Sequence, residues 1–419
     1  MHFCTPLLMK KVGLLTQTMA SVPTPFVRDR LTWMAYFLLA YYAYTQAALG
    51  PLMPFLRSEL ALNYTVAGLH LSAFALGMIG AGLTTDRLAQ RWGRWAIFWG
   101  GGLGMALGAL GLTLSHQAAL TIASIFGMGY LGSLLLILIQ TTLSDRHGEQ
   151  RVIPLTESNV GSAFAAMLAP VAVGSFERWG LGWRGAMVLA VLVFAWLALR
   201  FHGELLPAAK PATTRVRAAA PPLPLLYWAY WLVIYLGVSI EWCLIFWGAD
   251  FLEKVIGLSQ VNAATMMSVF FVAMVVGRFV GSRLSRLVPS PTLLLIAAGI
   301  TLAGFPFFWL ARLAPLNLAG LFIAGLGVAN LFPLTLAVAL GVVPAQTDTA
   351  SARASMGGGL AILIAPLALG WVADQVGIQN AYGIVAVLAA IAAGVTFLAN
   401  RLAARRRETL AEVTLLTSE

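Results

Sequence analysis

One glutamate inside an apolar run, Glu241 in YLGVSIEWCLIFWGADFL, has the setting in which a side chain does chemistry. Positions 237, 238, 244 and 245 are Gly, Val, Leu and Ile, so no basic residue lies one turn away on the same helix. An ionisable side chain near a bilayer centre costs about 2.5–3.5 kcal/mol on insertion scales, and is a functional candidate by default. A carboxyl so placed suits the uptake and release of a proton. The plainer alternative is a structural glutamate tied by hydrogen bonds between helices.

Few other polar groups share such surroundings. Gln46, Gln140 and Asn330 hydrogen-bond a polar solute or tie helices together. Tyr36, Tyr41, Tyr42 and Tyr44 crowd the first apolar run; membrane helices also use tyrosine as an interface anchor, so only Tyr42 is taken as a cavity candidate. Glu157 and Asn159 open the fifth run, and Arg353 holds the Glu157-equivalent place on the eleventh. Arg278 lies seven residues before Ser285, on nearly the same helical face. These charges either form static helix-end pairs or take part in gating. His70, alone near an interface, reads as structural, with proton coupling as the alternative.

Several chemistries are excluded. No nucleophile–base pair, metal-ligand cluster or ATP-binding motif is present, so neither an enzyme nor a cofactor is expected. GGGLGMALGALG (100–111) lies in a continuous apolar run with no Lys-Ser/Thr after it, which marks helix packing rather than a phosphate loop. Cys4 and Cys243 are too few for a disulfide framework or metal site.

These residues must be carried by membrane helices. The apolar fraction is 60%, the charged fraction 10% and the mean hydropathy +0.85, against about a quarter charged residues in a soluble domain. The net charge of +10 sits in short clusters between apolar runs with no aromatic-interleaved basic face, which excludes nucleic acid as a partner. Runs able to span a bilayer fall at 31–54, 65–85, 95–114, 118–143, 153–176, 183–201, 224–248, 260–286, 291–311, 316–341, 350–373 and 380–399.

Their division gives a cytoplasmic tail (1–30), a six-helix bundle (31–202), a cytoplasmic linker (203–223), a second bundle (224–400) and a cytoplasmic tail (401–419). With the N-terminus inside, 20 of the 26 Lys and Arg face the cytoplasm, five face outward and Arg278 lies within a span. The first residues lack a signal-peptide core and cleavage site; Met19 and Met34 are alternative initiators.

The halves repeat. ESNVGSAFAAMLAPVAVG (157–174) aligns without gaps to RASMGGGLAILIAPLALG (353–370), pairing Gly161/Gly357, Pro170/Pro366 and Gly174/Gly370 at an offset of 196. FGMG (126–129) meets AGLG (324–327), and Gly82 with Asp86–Arg87 meets Gly281 with Ser285–Arg286. Shared apolar composition does not produce three such matches in order.

The segment GLTTDRLAQRWGRW (82–95), with Gly82, Asp86, Arg87, Gly93 and Arg94, resembles the signature loop of the major facilitator superfamily. Gly82 should allow close approach of another helix, Asp86 should face a helix N-terminus, and Arg87, Arg91 and Arg94 should hold the loop inside. The resemblance extends from about 31 to 400. It implies an all-α membrane fold of twelve transmembrane helices in two pseudo-symmetric bundles, with the substrate site between them and alternating access by rocking.

Tyr-Leu-Gly-Val, Glu241 and Trp247 are similar to helix 7 of fucose-permease-like sugar:proton symporters, which implies a place for Glu241 and Trp247 in the transport pathway. The small-residue pattern around Pro170 departs from an antiporter signature at Ala165, Ala169 and Val173.

The superfamily also places helix 2 beside helix 11 and helix 8 beside helix 5. Two mirrored pairs, Asp86–Arg353 and Glu157–Arg278, are therefore expected when the cytoplasmic side is closed. The whole reads as a proton-coupled secondary transporter of a small organic solute such as a sugar, acting as a monomer in the lipid bilayer of a bacterial inner membrane. The rivals are drug or metabolite efflux, and a non-transporting receptor or scaffold.

Overall fold

A computed structural model describes residues 26–206 and 222–416. Met19, Ala212 and most of the expected tail and linker lie outside the described residues.

Among the described residues the elements are helices. In chain order they are α1 (Arg30–Leu60), α2 (Tyr64–Trp92), α3 (Arg94–Leu114), α4 (Ala118–His147), α5 (Val152–Arg178) and α6 (Arg184–Phe201). After residue 221 follow α7 (Leu225–Lys254), α8 in two segments (Gln260–Met266 and Ser268–Leu284), α9 (Ser290–Leu310), α10 (Ala314–Val342), α11 (Thr347–Ala381) and α12 (Gly383–Leu416).

Ten helical stretches are long and apolar enough to cross a membrane, one of them joining α4 and α5. The stretch over α1 is not among the ten; its four tyrosines, Gln46 and two prolines dilute a sequence that is long enough.

Local chemistry sets the helix ends. The Asp29 side chain accepts from Thr32 N–H at 2.9 Å to start α1, and Asn63 accepts from Val66 N–H at 2.8 Å to start α2. Burial opposes the charged form of Asp29, but hydrogen bonds from Thr32 and Arg146 outweigh it and hold the carboxyl below its ordinary range. Gly93, at φ 84°, ends α2 and turns the chain into α3, a conformation that glycine adopts without strain. α11 runs beyond its expected end and bends at Gly377, at φ 79°.

The strongest packing repeats along the chain. α1 lies on α5 as α7 lies on α11; α2 and α3 lie on α4 as α8 and α9 lie on α10. Between helices before 207 and those after 221, α2 packs on α11, α5 on α8 and α1 on α7. Glycines make these crossings possible. A Cβ at Gly50 would run into the Ile245 carbonyl, one at Gly174 into Thr265 and the Val261 carbonyl, and one at Gly370 into the Tyr64 carbonyl.

α7 is the most deeply buried stretch and α12 the least. Leu107, Leu192 and Leu398 are exposed on peripheral helices, as expected of a surface solvated by lipid.

Candidate functional site

α1, α5, α7 and α8 enclose a cavity of ≈ 160 Å³. Its polar lining is Gln46, Ser162, Glu241, Trp242 and Arg278; Ile245, Phe271 and Met274 are among its apolar walls. Glu241 comes from the middle of α7, whose mass of apolar contacts fixes the backbone beneath it. The side chain is 17% exposed and that of Arg278 is 50% exposed.

Arg278 Nη2 stands 4.0 Å from Glu241 Oε1. The sequence expectation that α7 itself offers Glu241 no basic neighbour one turn away is met, but the acid is not alone. The base comes from α8, and tertiary packing does what no i±3 or i±4 neighbour does. At 4.0 Å the pair is held by charge and not by a hydrogen bond.

The other cavity candidates scatter. Gln46 lines the cavity, with Nε2 3.9 Å from Met78 Sδ. Tyr42, one turn earlier, is buried. Trp247 is wholly buried and donates its indole N–H to the Pro366 carbonyl at 2.8 Å. Asn330 donates to the Gly277 carbonyl at 2.8 Å, tying α10 to α8. Asn159 is exposed near Arg94 and Asp145 and donates to the Leu155 carbonyl at 2.7 Å. His70 is buried between Val66 O and Thr121 Oγ1, as a structural histidine is.

The signature loop lies at the end of the bundle that carries Arg30 and Phe201. Arg94 pairs with Asp145 at 2.6 Å, fastening α3 to α4. Asp86 and Arg87 are exposed. The close approach expected at Gly82 is absent, since a Cβ there would meet nothing within 4 Å.

The expected Asp86–Arg353 and Glu157–Arg278 pairs are not formed either. Glu157 takes Arg28 (2.5 and 2.8 Å) and the Tyr36 hydroxyl (2.8 Å) instead, while the Arg353 side chain is exposed and its carbonyl accepts from Trp231 at 2.7 Å. The reason lies in where the two sets of helices are joined, for the charged contacts between them, Arg57 with Asp250, Asp374 with the start of α2, and Arg178 with Asn262, lie at the other end.

That opposite end is where sequence reasoning missed the important groups. Arg57 of α1 reaches across to the fully buried Asp250 of α7, with the guanidinium 3.6 Å from the Tyr64 ring centroid. Asp374 of α11 accepts from the backbone N–H groups of Tyr64 and Thr65, each at 2.8 Å, and from the Thr65 hydroxyl at 2.5 Å. It therefore caps α2 from the other set of helices. Arg178, the mate of Asp374 at the 196 offset, donates to Asn262 at 3.1 Å across α5 and α8. Gln260 donates to the Pro54 carbonyl at 3.3 Å. Asp250 was legible as an acid within an apolar run; its partner on another helix was not.

With this geometry in hand, the comparisons define the class. The Major Facilitator Superfamily family model matches residues 33–327. The chain belongs to that superfamily and is a multi-pass membrane protein of the transporter class. It is 28% identical over 301 residues to the cyanate transport protein CynX of Escherichia coli (strain K12), covering 70% of this chain and 76% of that one. It is 26% identical over 307 residues to a chloramphenicol resistance protein of Pseudomonas aeruginosa, covering 67% and 69%. In fold it is similar to a bacterial homologue of the human lysosomal transporter Spinster, at a TM-score of 0.74 and 16% identity over 90% of this chain and 98% of that one.

Proposed function

We propose that the chain is a proton-coupled secondary transporter that moves a small organic solute by alternating access, with Glu241 as the proton carrier. The observation that carries the reading is the setting of Glu241 in a cavity bounded by α1, α5, α7 and α8, the helices that meet across the 207–221 stretch. The neighbour pattern of α1–α6 recurs in α7–α12, which supports twelve transmembrane helices in two duplicated bundles (31–202 and 224–400) that rock about the cavity.

Polar contacts between the two sets of helices at one end, with ion pairs kept inside one set at the other, are what one extreme of such a motion requires. The basic asymmetry supports cytoplasmic termini in a bacterial inner membrane; the state is then the one open to the cytoplasm. The chain works as a monomer, since the site is complete within it.

The cavity of ≈ 160 Å³ is smaller than the ~300–1,000 Å³ of drug-sized pockets. That favours a small solute over bulky-drug efflux, and the presence of a polar cavity argues against a mere scaffold. Gln46 and Ser162 are the uncharged aliphatic hydrogen-bonding side chains of the lining, too few to satisfy a polyol. A solute with one polar end fits better than a sugar.

The test is Glu241→Gln in proteoliposomes, with the solute chosen by a counterflow screen. Gradient-driven accumulation should vanish while exchange survives. Accumulation at the wild-type level would overturn the assignment.

A further inference from the structure

The pairing in the cavity carries a statement about what is transported, resting on the reading of Glu241 as proton carrier. The Arg278 side chain makes no hydrogen bond to any described residue. Its carboxylate neighbour stands at 4.0 Å, outside the 2.7–3.2 Å range, so the planar fork of donors faces the cavity unfilled. No other charged side chain lines the cavity; α1 contributes Gln46, α5 contributes Ser162, and α7 itself adds Trp242. Cys243, two residues from Glu241, is buried. The remaining wall is apolar, from Ile245, Phe271, Met274 and Val275.

Charge balance then restricts the occupant. With Glu241 ionised and Arg278 charged, the cavity is neutral. When Glu241 gains a proton, the half-exposed Arg278 at the edge of this mostly apolar cavity loses its counter-charge, and the lining offers no other acid to replace it. A neutral solute leaves that charge uncompensated. A monoanion cancels it and satisfies the guanidinium with two charge-assisted hydrogen bonds, while its hydrocarbon part lies on the apolar wall.

We propose that the solute is a small monoanion with a short apolar body, of the monocarboxylate type, that seats on Arg278 in the place Glu241 gives up when it takes a proton. One proton and one anion are then bound together and released together. The proton moves from water to the Glu241 carboxylate, and back when the anion leaves, so the loaded carrier and the empty carrier have the same net charge. The carboxylate of Glu241 and that of the solute compete for one guanidinium, which makes the coupling obligatory at this site.

The experiment is isothermal titration calorimetry on the full chain in lipid nanodiscs, in two buffers of different ionisation enthalpy so that protons can be counted. The probes are butyrate, the permanently ionised propane-1-sulfonate, and neutral butyramide. Butyrate and the sulfonate should bind, each with about one proton taken up at alkaline pH, and butyramide at least about tenfold more weakly. Glu241→Gln should bind both anions with no proton uptake. Arg278→Gln should weaken them at least about tenfold, and Arg278→Lys should fall between because it loses the bidentate fork.

Butyramide binding as tightly as butyrate, no anion binding at 10 mM (roughly ten times a 1 mM Kd), or equal proton counts in wild type and Glu241→Gln would overturn the proposal. The proton-counting arm stands even if the Arg278 variants do not fold. If a neutral solute found by counterflow still accumulates in a Glu241-dependent way, only the anion class falls. If Glu241→Gln accumulates its solute normally, the transport reading itself falls.

Discussion

Arg57→Ala offers the sharpest perturbation of the closed end. The Arg57–Asp250 pair joins α1 to α7, with the Asp250 side chain fully buried and that of Arg57 13% exposed. Removing one partner of a buried pair costs about 3–5 kcal/mol, because the other charge is left uncompensated. The space vacated by the Arg57 side chain, itself 13% exposed, admits water to the stranded Asp250, so the lower figure applies. About 3 kcal/mol is roughly a hundredfold in an equilibrium constant.

When the outer ends separate, Asp250 gains water and the penalty disappears, so the whole cost falls on the closed state. The population open to the outside should therefore rise about a hundredfold. Ile245, nearly buried on the cavity wall, is a suitable reporter as Ile245→Cys in a chain whose Cys4 and Cys243 are alanine. Labelling by an impermeant maleimide from outside should accelerate by that factor in Arg57→Ala, and by much less in Arg57→Ala/Asp250→Asn, where no charge is stranded. Arg57→Lys keeps the charge but loses the stacking on Tyr64 and should lie between. A labelling rate in Arg57→Ala within about twofold of the parent, under ~0.5 kcal/mol, would refute the reasoning.

Three further outcomes are expected. A cysteine at Ala212, outside the described residues, should stay unlabelled by an impermeant thiol reagent on right-side-out cells; rapid labelling would invert the orientation. Arg353→Ala should raise the share of molecules open to the cytoplasm, and Asp86→Arg/Arg353→Asp should partly restore it, read by spin-label distances between α2 and α11; unchanged distances would remove the Asp86–Arg353 gate. Asp374→Ala should act in the opposite sense on the outer ends, by about fivefold for a lost helix cap, and wild-type distances there would show that the cap is not part of the closure.

Much of the architecture was legible because membrane helices write themselves in one dimension. Apolar runs located the starts of the helices to within about three residues, though several helices run on past the expected ends. The 196-residue offset already paired Gly174 with Gly370, the two glycines that let α5 meet α8 and α11 meet α2. What a single helix could not announce was the partner across a gap. Arg278 was found 37 positions from Glu241 in sequence and 4.0 Å away in space. Likewise Asp374 reads as an ordinary helix-end acid until α2 is seen to begin against it. Asn330 and Trp247 show the converse, for a polar atom in an apolar run is as often spent on a neighbouring carbonyl as offered to a solute. The expected Asp86–Arg353 and Glu157–Arg278 pairs are absent here, for Glu157 holds Arg28 and Tyr36 and Arg278 stands beside Glu241.

The two seams at the closed end, made from matching positions of a duplicated sequence, are not equals. Along α2 and α11 a carboxylate grips two backbone amides and a hydroxyl; along α5 and α8 a lone guanidinium–amide bond of 3.1 Å does the same duty. Fasteners of unequal strength do not release in step. The α2–α11 seam is thus the more firmly tied of the two, and the opening expected at this end is a wedge that widens on the α5–α8 side, the side that carries Arg278.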